Sequence, residues 1–290
     1  MASQTTSHSL HNNDPRSRAR NAFDLVASGG VGSPSPIPSP PSASPSCSAT
    51  YKRLAEYGPT GERSLAGIAL RAFLLGVVLV LFLAISLATL CYTRSPAWRA
   101  PLFITTLSVF HFLEFWTTAE YNTGSASISS FLLSSNGSAY TTANVSALLE
   151  CLITTLIFPD RHWLPRFISH VLTVLGLLLL VSMQVIRSTA MIHAGKNFNH
   201  IVAHHKSNTH QLVSDGIYSI WRHPSYFGYY WWGLGTQLMM GNVVCFVGYA
   251  VVLWRFFSVR IRVEEERLVE FFGDDYVQYR KRTRIGIPFI

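Results

Sequence analysis

The sequence is poor in charged residues. Asp, Glu, Lys and Arg make up 13% of its 290 residues, about half the share that soluble globular domains usually carry. Hydrophobic residues make up 49%. This balance excludes a disordered chain and an ordinary soluble enzyme, and it predicts a membrane protein.

Cysteines are few and several catalytic signatures are missing. Four cysteines lie far apart without a CxxC pair, which excludes a disulfide framework and a zinc ribbon. HExxH and GxSxG do not occur, and no GxGxxG follows a predicted strand. These absences exclude the common zinc-protease, serine-hydrolase and dinucleotide-binding designs.

The first 60 residues differ in composition from the rest of the chain. Residues 33–45 read SPSPIPSPPSASP, and such a stretch buries too little apolar surface to become ordered. We therefore predict a disordered Ser/Pro-rich tail over residues 1–60. Residues 61–192 should hold four membrane spans, and residues 193–290 should form the catalytic region.

Long apolar segments predict an all-α polytopic membrane protein with about six transmembrane helices. A Gly-Asn pair at 241–242 divides the last apolar block, so the final two spans should form a short helical hairpin, followed by a cytosolic C-terminal helix. The apolar segments are Leu65–Tyr92, Leu102–Tyr121, Val145–Phe158, Phe167–Ile192 and Tyr226–Phe257.

The net charge is +8, and the basic residues lie beside the apolar segments. This position favours cytoplasmic loops of a membrane protein over a nucleic-acid-binding surface. With six spans, most Lys and Arg clusters fall on the side that carries both termini, and this side should be cytosolic. The sequons at Asn136 and Asn144 would then face the cytosol and stay unmodified. The clusters are Lys52, Arg53, Arg63 and Arg71, then Arg187, Lys196, Lys206 and Arg222, then Arg280, Lys281, Arg282 and Arg284.

A polar segment between the fourth span and the hairpin holds the first candidate chemistry. It carries six histidines but no Cys partner, so we expect neutral hydrogen-bonding groups and no metal site. Arg222–Tyr226 (RHPSY) leads into the hairpin, where Pro224 suits the first helical turn. The helix N-terminus there favours an anionic group. An interface loop with aromatic anchors is the alternative.

The second candidate region follows the hairpin. Arg260 and Glu264 are spaced to share one helix face, either towards a pocket at the membrane edge or as a solvated ion pair. Leu268, Phe271 and Phe272 continue an apolar stripe up to Gly273, which we expect to pack the tail on the bundle. Glu114 and His111 in the second span are either polar packing groups or direct participants.

At these residues the chain resembles the isoprenylcysteine carboxyl methyltransferase family, most closely its fungal six-span members. The similarity runs from about residue 100 to the end. The matching stretches are Asn197–His200 (NFNH), Asp215–Ser219 (DGIYS), Arg222–Tyr226 (RHPSY), Gly235–Gln237 (GTQ), Leu253–Phe257 (LWRFF), Phe271–Gly273 (FFG) and Gly286–Ile290 (GIPFI).

The resemblance implies methyl transfer from S-adenosyl-L-methionine to the C-terminal α-carboxylate of S-prenylated cysteine in CaaX proteins, farnesylated or geranylgeranylated. It also implies a multi-pass protein of the endoplasmic reticulum membrane whose site faces the cytosol. Arg260 would position the substrate carboxylate. The implied cofactor contacts are His210, Gln211, Leu212, Val213, Tyr218, His223, Pro224, Ser225, Tyr226 and Glu264, and a further contact in the family falls on Ala203.

Two other enzyme classes share an RHPxY motif that is followed by a helical hairpin and a pair of glutamates. A phospholipid N-methyltransferase would use the same cofactor on an amine, and a sterol reductase would use NADPH. A non-enzymatic scaffold or transporter would leave RHPSY and the Arg260–Glu264 face without a role. The longer pattern from Arg222 to Ile290 favours the prenylcysteine enzymes.

Overall fold

The chain folds as a bundle of helices. A computed structural model describes residues 54–93, 95–158, 165–200 and 211–290, and most of the tail predicted as disordered lies outside these ranges. Among the described residues there is no β-strand, only an isolated bridge between Trp221 and Arg284, so the all-α prediction is confirmed. The main helices are α1 Leu65–Tyr92, α2 Arg99–Tyr121, α3 Gly137–Ile157, α4 Arg166–Ala194, α5 Pro224–Met240, α6 Val244–Phe272 and α7 Asp274–Arg282.

Five described helical segments are long and apolar enough to cross a membrane. The first arm of the hairpin, α5, has 17 residues and measures about 26 Å, less than the roughly 30 Å of a bilayer core. The expected six spans thus correspond to five long helices and one shorter, largely buried helix. The five segments are Leu65–Tyr92, Pro96–Tyr121, Gly137–Ile157, Arg166–Asn197 and Val244–Phe272.

The predicted hairpin is present, but its second arm is not short. α5 ends at Met240, and Gly241 takes the left-handed conformation with φ 70°. α6 then runs for 29 residues to Phe272 and ends at Gly273. The Glu150 carboxylate of α3 accepts hydrogen bonds at 2.6–2.9 Å from the first N–H groups of α6, which would otherwise be costly to leave unpaired inside a membrane.

The third span begins at Gly137, eight residues before the start predicted from hydropathy. The first two turns of α3 are polar because their side chains bond within the bundle. The Tyr140 hydroxyl donates to His111 Nε2 at 3.0 Å, and Asn144 Oδ1 accepts from the Tyr249 hydroxyl at 3.1 Å. Hydropathy misses these turns because it assumes that polar residues avoid a span.

Glycines bring α4 and α5 into close contact. A Cβ atom on Gly176 would lie 2.4 Å from the Met239 backbone nitrogen, and one on Gly235 would lie 2.9 Å from Leu179 Cβ. Small residues at helix interfaces permit such approach in membranes, where burial from water contributes little to helix association. This contact fixes the helix whose first turn carries the RHPSY residues.

We expect Gly176→Ala to lower the free energy of unfolding by about 1–3 kcal/mol, because the added methyl group meets backbone and not a flexible side chain. Thermal unfolding in detergent measures this. Gly248→Ala in α6 is the matched control, since no atom lies within 4 Å of its Cβ position, and it should be neutral or stabilising. Equal unfolding temperatures for Gly176→Ala and the parent protein would contradict the close contact.

The last eight residues, 283–290, form a segment that we call the C-terminal strap. Ile285 and Ile287 are buried in an apolar cluster with residues of α5 and α6. The strap therefore joins the loop before α5 to both arms of the hairpin. Its carbonyl oxygens accept hydrogen bonds from Arg222 N at Arg284, from Trp231 Nε1 at Gly286 and from Trp254 Nε1 at Pro288.

Candidate functional site

A cavity of about 690 Å³, including its open mouth, lies where the loop after α4, the start of α5, the second half of α6 and α7 meet. The structure brings nine of the ten predicted cofactor residues to its wall, whereas His210 and the related position Ala203 lie outside the described residues. The nine are Gln211, Leu212, Val213, Tyr218, His223, Pro224, Ser225, Tyr226 and Glu264.

A turn places Tyr218 in the cavity wall. Gly216 has φ +52°, and a Cβ atom there would lie 2.4 Å from His193 Cε1, so the turn requires glycine. Asp215 Oδ1 lies 3.2 Å from His193 Nε2, and the hydrogen bond from His193 lowers the pKa of the Asp215 carboxyl. The Tyr218 hydroxyl then donates to Ala190 O at 3.2 Å, which ties the turn to α4.

Glu265 holds the RHPSY segment against α6. Arg222 Nε donates to Glu265 Oε1 at 2.8 Å, and His223 Nε2 lies 3.4 Å from the same oxygen. Pro224 is the first residue of α5, with His223 as its N-cap, as predicted. Glu265 was not predicted, because the residue four positions before it is Ile261, which offers no charge to pair with.

Tyr226 joins Arg260 to Glu264. Arg260 Nε donates to the Tyr226 hydroxyl at 2.8 Å, and this hydroxyl donates to Glu264 Oε2 at 2.6 Å. The Arg260 guanidinium carbon also lies 5.3 Å from the Tyr226 ring centroid. The two residues share a helix face as predicted, but the phenol connects them, which argues against a simple solvated ion pair.

Arg260 lies on a second, apolar surface and not in the wall of the cavity. A shallow groove on α6 is formed by three valines and one phenylalanine, with Arg260 as one of its two basic residues. Tyr226 therefore lies between the cavity and an apolar groove. The residues of the groove are Val251, Val252, Arg255, Phe256, Val259 and Arg260.

A buried ion pair lies beneath the cavity. Arg187 Nε and Nη2 donate to the two oxygens of Glu114 at 2.5 and 2.7 Å, and the side chains are 8% and 1% exposed. Arg187 Nη1 also donates to Ser225 Oγ at 2.8 Å and to Ser225 O at 3.1 Å. Counting Arg187 among the cytosolic loop charges was therefore wrong: it lies within α4 and links α2 to the start of α5.

Two histidines, His200 and His111, lie near this ion pair. His200 Nδ1 lies 3.8 Å from Glu114 Oε2, yet burial lowers the pKa of His200 to about 4, helped by the positive charges of Arg187 and Arg260. His111 Nδ1 donates to Phe131 O at 2.8 Å and its Nε2 accepts from Tyr140. Both His111 and Glu114 thus bond inside the bundle, which favours the packing interpretation.

Beyond Glu264, four residues of α6 and α7 line the cavity: Leu268, Phe272, Tyr276 and Tyr279. Two members of the apolar stripe that we expect to pack the tail, Leu268 and Phe272, therefore also lie on the cavity wall. The Tyr276 hydroxyl is buried without a hydrogen-bond partner among the described residues. The histidines at 204, 205 and 210 lie outside those residues, so the absence of a metal site stays a prediction.

Comparison with known proteins identifies relatives of this architecture. The model of the "Isoprenylcysteine carboxyl methyltransferase (ICMT) family" matches residues 174–270. A protein-S-isoprenylcysteine O-methyltransferase of Saccharomyces cerevisiae is 41% identical over 236 residues, which are 81% of this chain and 96% of the relative. The Homo sapiens protein of that name is 40% identical, over 77% of this chain and 75% of the relative.

A solved structure has the same fold. The eukaryotic intramembrane Ras methyltransferase ICMT, solved without a monobody, superimposes with a TM-score of 0.71 at 36% sequence identity. The match covers 84% of this chain and 83% of that one. The similarity therefore includes the membrane bundle as well as the residues around the cavity.

Proposed function

The chain belongs to the isoprenylcysteine carboxyl methyltransferase family, and from this premise we propose that its cavity binds S-adenosylmethionine and that Arg260 positions the acceptor carboxylate. As a member of the family, the protein methylates the C-terminal carboxylate of S-prenylated cysteine in proteins. The observation that carries the proposal is the arrangement around Tyr226, whose hydroxyl contacts both Glu264 in the cavity and Arg260 on the apolar groove.

The chemistry of the cavity fits this methyl donor. S-adenosylmethionine combines a cationic sulfonium with a purine and several polar groups. The cavity offers the carboxylate of Glu264 for positive charge and aromatic side chains for a planar base. One buried polar atom, the Tyr276 hydroxyl, has no partner among the described residues and is available to a polar ligand.

Arg260 is suited to orienting a carboxylate. Its guanidinium carries a fork of donors that matches the two oxygens of a carboxylate. Tyr226 accepts one N–H and the carbonyl of His200 accepts another, so the guanidinium is held in place before an acceptor arrives. Holding the carboxylate too tightly would blunt its nucleophilicity, and we therefore assign Arg260 positioning and not activation.

The reaction requires little acid-base chemistry from the chain. An α-carboxylate has a pKa of about 3.3–3.7 and is ionised at pH 7. When bound, S-adenosylmethionine supplies a methyl group on a sulfonium whose leaving group is a neutral thioether, so no general acid is needed. What remains for the protein is alignment and exclusion of water, which contribute up to about 7–11 kcal/mol in well-oriented reactions.

The apolar groove on α6 provides a path for the prenyl chain. Its three valines and Phe256 are exposed on the outside of the bundle, where a lipid-anchored substrate in the bilayer would meet them. A prenyl group lying along this groove would bring its cysteine carboxylate towards Arg260. The bilayer and prenylated CaaX proteins are thus the proposed partners.

The protein should reside in the endoplasmic reticulum membrane with the cavity facing the cytosol. The segment before α1 bonds to the loop after α2, as Ile128 N donates to Glu62 O at 2.9 Å. Asn122 Nδ2 in turn donates to Phe198 O beside the cavity at 2.8 Å. These segments share one side, so an endoglycosidase-sensitive shift that Asn136→Gln removes would contradict the cytosolic assignment.

A comparison of acceptors tests the proposed function. Membranes from cells that express the chain should transfer label from S-adenosylmethionine to N-acetyl-S-farnesylcysteine and not to phosphatidylethanolamine. The label should be released by mild base, as expected for a methyl ester. Transfer to phosphatidylethanolamine, or consumption of NADPH with a sterol, would favour the classes left open by the sequence, which the relatives do not favour.

A further inference from the structure

Tyr276 lies in a part of the cavity wall to which the sequence resemblance assigned no contact. Gly273, with φ +56°, turns the chain between α6 and α7, and this turn brings Tyr276 and Tyr279 beside Leu268 and Phe272. We call these four residues the aromatic wall. The rings of its two tyrosines lie 5.8 Å apart.

The hydroxyl of Tyr276 is the unusual feature of this wall. The side chain is 1% exposed, and its hydroxyl has no hydrogen-bond partner among the described residues. Its neighbour Tyr279 differs, because that hydroxyl donates to Tyr218 O at 2.7 Å. Buried polar groups in native proteins nearly always have a partner, so the Tyr276 hydroxyl is free to bond to a ligand.

The surroundings of Tyr276 determine which part of a ligand it suits. Burial raises the pKa of Tyr276, and the nearby carboxylates of Glu265 and Glu264 raise it further, so the phenol remains a donor at neutral pH. The same carboxylates disfavour an anionic group at this position. The flat ring of Phe272 and the apolar side chain of Leu268 instead suit a planar base, whose ring nitrogens are acceptors.

We infer that the aromatic wall holds the adenine ring of the methyl donor and that the Tyr276 hydroxyl donates a hydrogen bond to one of its ring nitrogens. This inference rests on the proposed function, since it concerns the same cavity. It adds Tyr276 as a binding residue and assigns the aromatic wall to the purine. Tyr226, whose hydroxyl contacts both Glu264 and Arg260, then lies towards the reacting groups.

Binding of S-adenosylhomocysteine to the purified full-length protein in nanodiscs tests the inference without any turnover. Tyr276→Phe should weaken binding roughly 2- to 12-fold, the size of one neutral hydrogen bond. The unfolding temperature of the ligand-free variant should be unchanged or higher, because an unpaired buried hydroxyl has been removed. Loss of affinity therefore cannot be confused with a failure to fold.

Three analogues with N1, N3 or N7 of the purine replaced by C–H identify the acceptor. One of them should bind the parent protein more weakly than S-adenosylhomocysteine does, and Tyr276→Phe should bind this analogue and the parent ligand equally well. Tyr279→Phe is the matched control from the same wall. Because its hydroxyl has an internal partner, any loss it causes should be equal for all four ligands.

The inference is overturned if Tyr276→Phe binds S-adenosylhomocysteine with unchanged affinity, or if its loss is equal for the parent ligand and all three analogues. These outcomes differ from failure of the proposed function. In that case the unaltered protein itself would not bind S-adenosylhomocysteine.

Discussion

Arg187→Met is expected to destabilise the protein by about 3–5 kcal/mol, because it leaves the carboxylate of Glu114 buried without its partner. Glu114 is 1% exposed and accepts both of its close hydrogen bonds from Arg187. Thermal unfolding in a single detergent measures the loss. The same change on an exposed pair is the control: Arg267 contacts Glu270 at 2.8 Å on the surface, and Arg267→Met should lower stability by about 0–1 kcal/mol.

The double variant Glu114→Leu/Arg187→Met distinguishes the effect of the buried charges on stability from the effect of Arg187 on ligand binding. Removing both charges should recover most of the lost stability, since no unpaired ion remains in the bundle. Binding of S-adenosylhomocysteine should not recover, because Ser225 at the start of α5 still lacks the two hydrogen bonds from Arg187. A double variant that binds as tightly as the parent protein would show that Arg187 serves the bundle alone.

Glu264→Gln should weaken donor binding, while Arg260→Lys should retain donor binding and lower turnover on the prenylcysteine acceptor. Glu264 lies in the cavity wall, whereas Arg260 faces the apolar groove. The first change removes a charge and keeps the shape, and the second keeps the charge and removes the fork. Each loss should be roughly 10- to 150-fold, the size of one charge-assisted hydrogen bond.

Initial rates and direct donor binding, measured on the same purified samples, distinguish these two effects. Arg262→Lys and Glu266→Gln are matched controls, because these residues have the same spacing on the same helix but are exposed. Both should leave rates and binding unchanged. Normal donor binding by Glu264→Gln, or normal turnover by Arg260→Lys, would refute this division of roles. The alternative, that Arg260 and Glu264 form a solvated ion pair, would then be favoured.

Tyr226→Phe should weaken binding of the methyl donor and binding of the acceptor at the same time. Its hydroxyl donates to Glu264 and accepts from Arg260, so its removal frees both side chains. Donor affinity and the apparent affinity for the acceptor should therefore fall together in one set of titrations. If the affinity for only one ligand falls, the Tyr226 hydroxyl contributes nothing to binding of the other ligand.

The sequence predicted the elements whose physics is local. Apolar segments of sufficient length identify spans because backbone groups in hydrocarbon must bond within their own helix. Gly241 and Gly273 marked helix ends because only glycine takes their positive φ angles readily, and Pro224 marked a helix start. The resemblance identified the predicted cofactor residues, and those that the structure describes line one cavity.

The features that were missed depend on partners far away in the sequence. Arg187 resembles a loop charge until α2 supplies Glu114, 73 residues earlier. The polar start of α3 reads as a loop until His111 and Tyr249 supply partners for its side chains. Tyr276 gave no signal at all, because an unpaired hydroxyl is defined only by what surrounds it in three dimensions.

The C-terminal strap makes the cavity depend on a segment that lies outside the candidate membrane spans. Arg222, at the entrance to α5, is held by the backbone of Arg284 and by the carbonyls of Arg280 and Thr283. Removal of residues 283–290 should therefore leave the bundle in the membrane but loosen the start of α5, which lines the cavity. We expect the shortened protein to bind S-adenosylhomocysteine more weakly than the parent protein does.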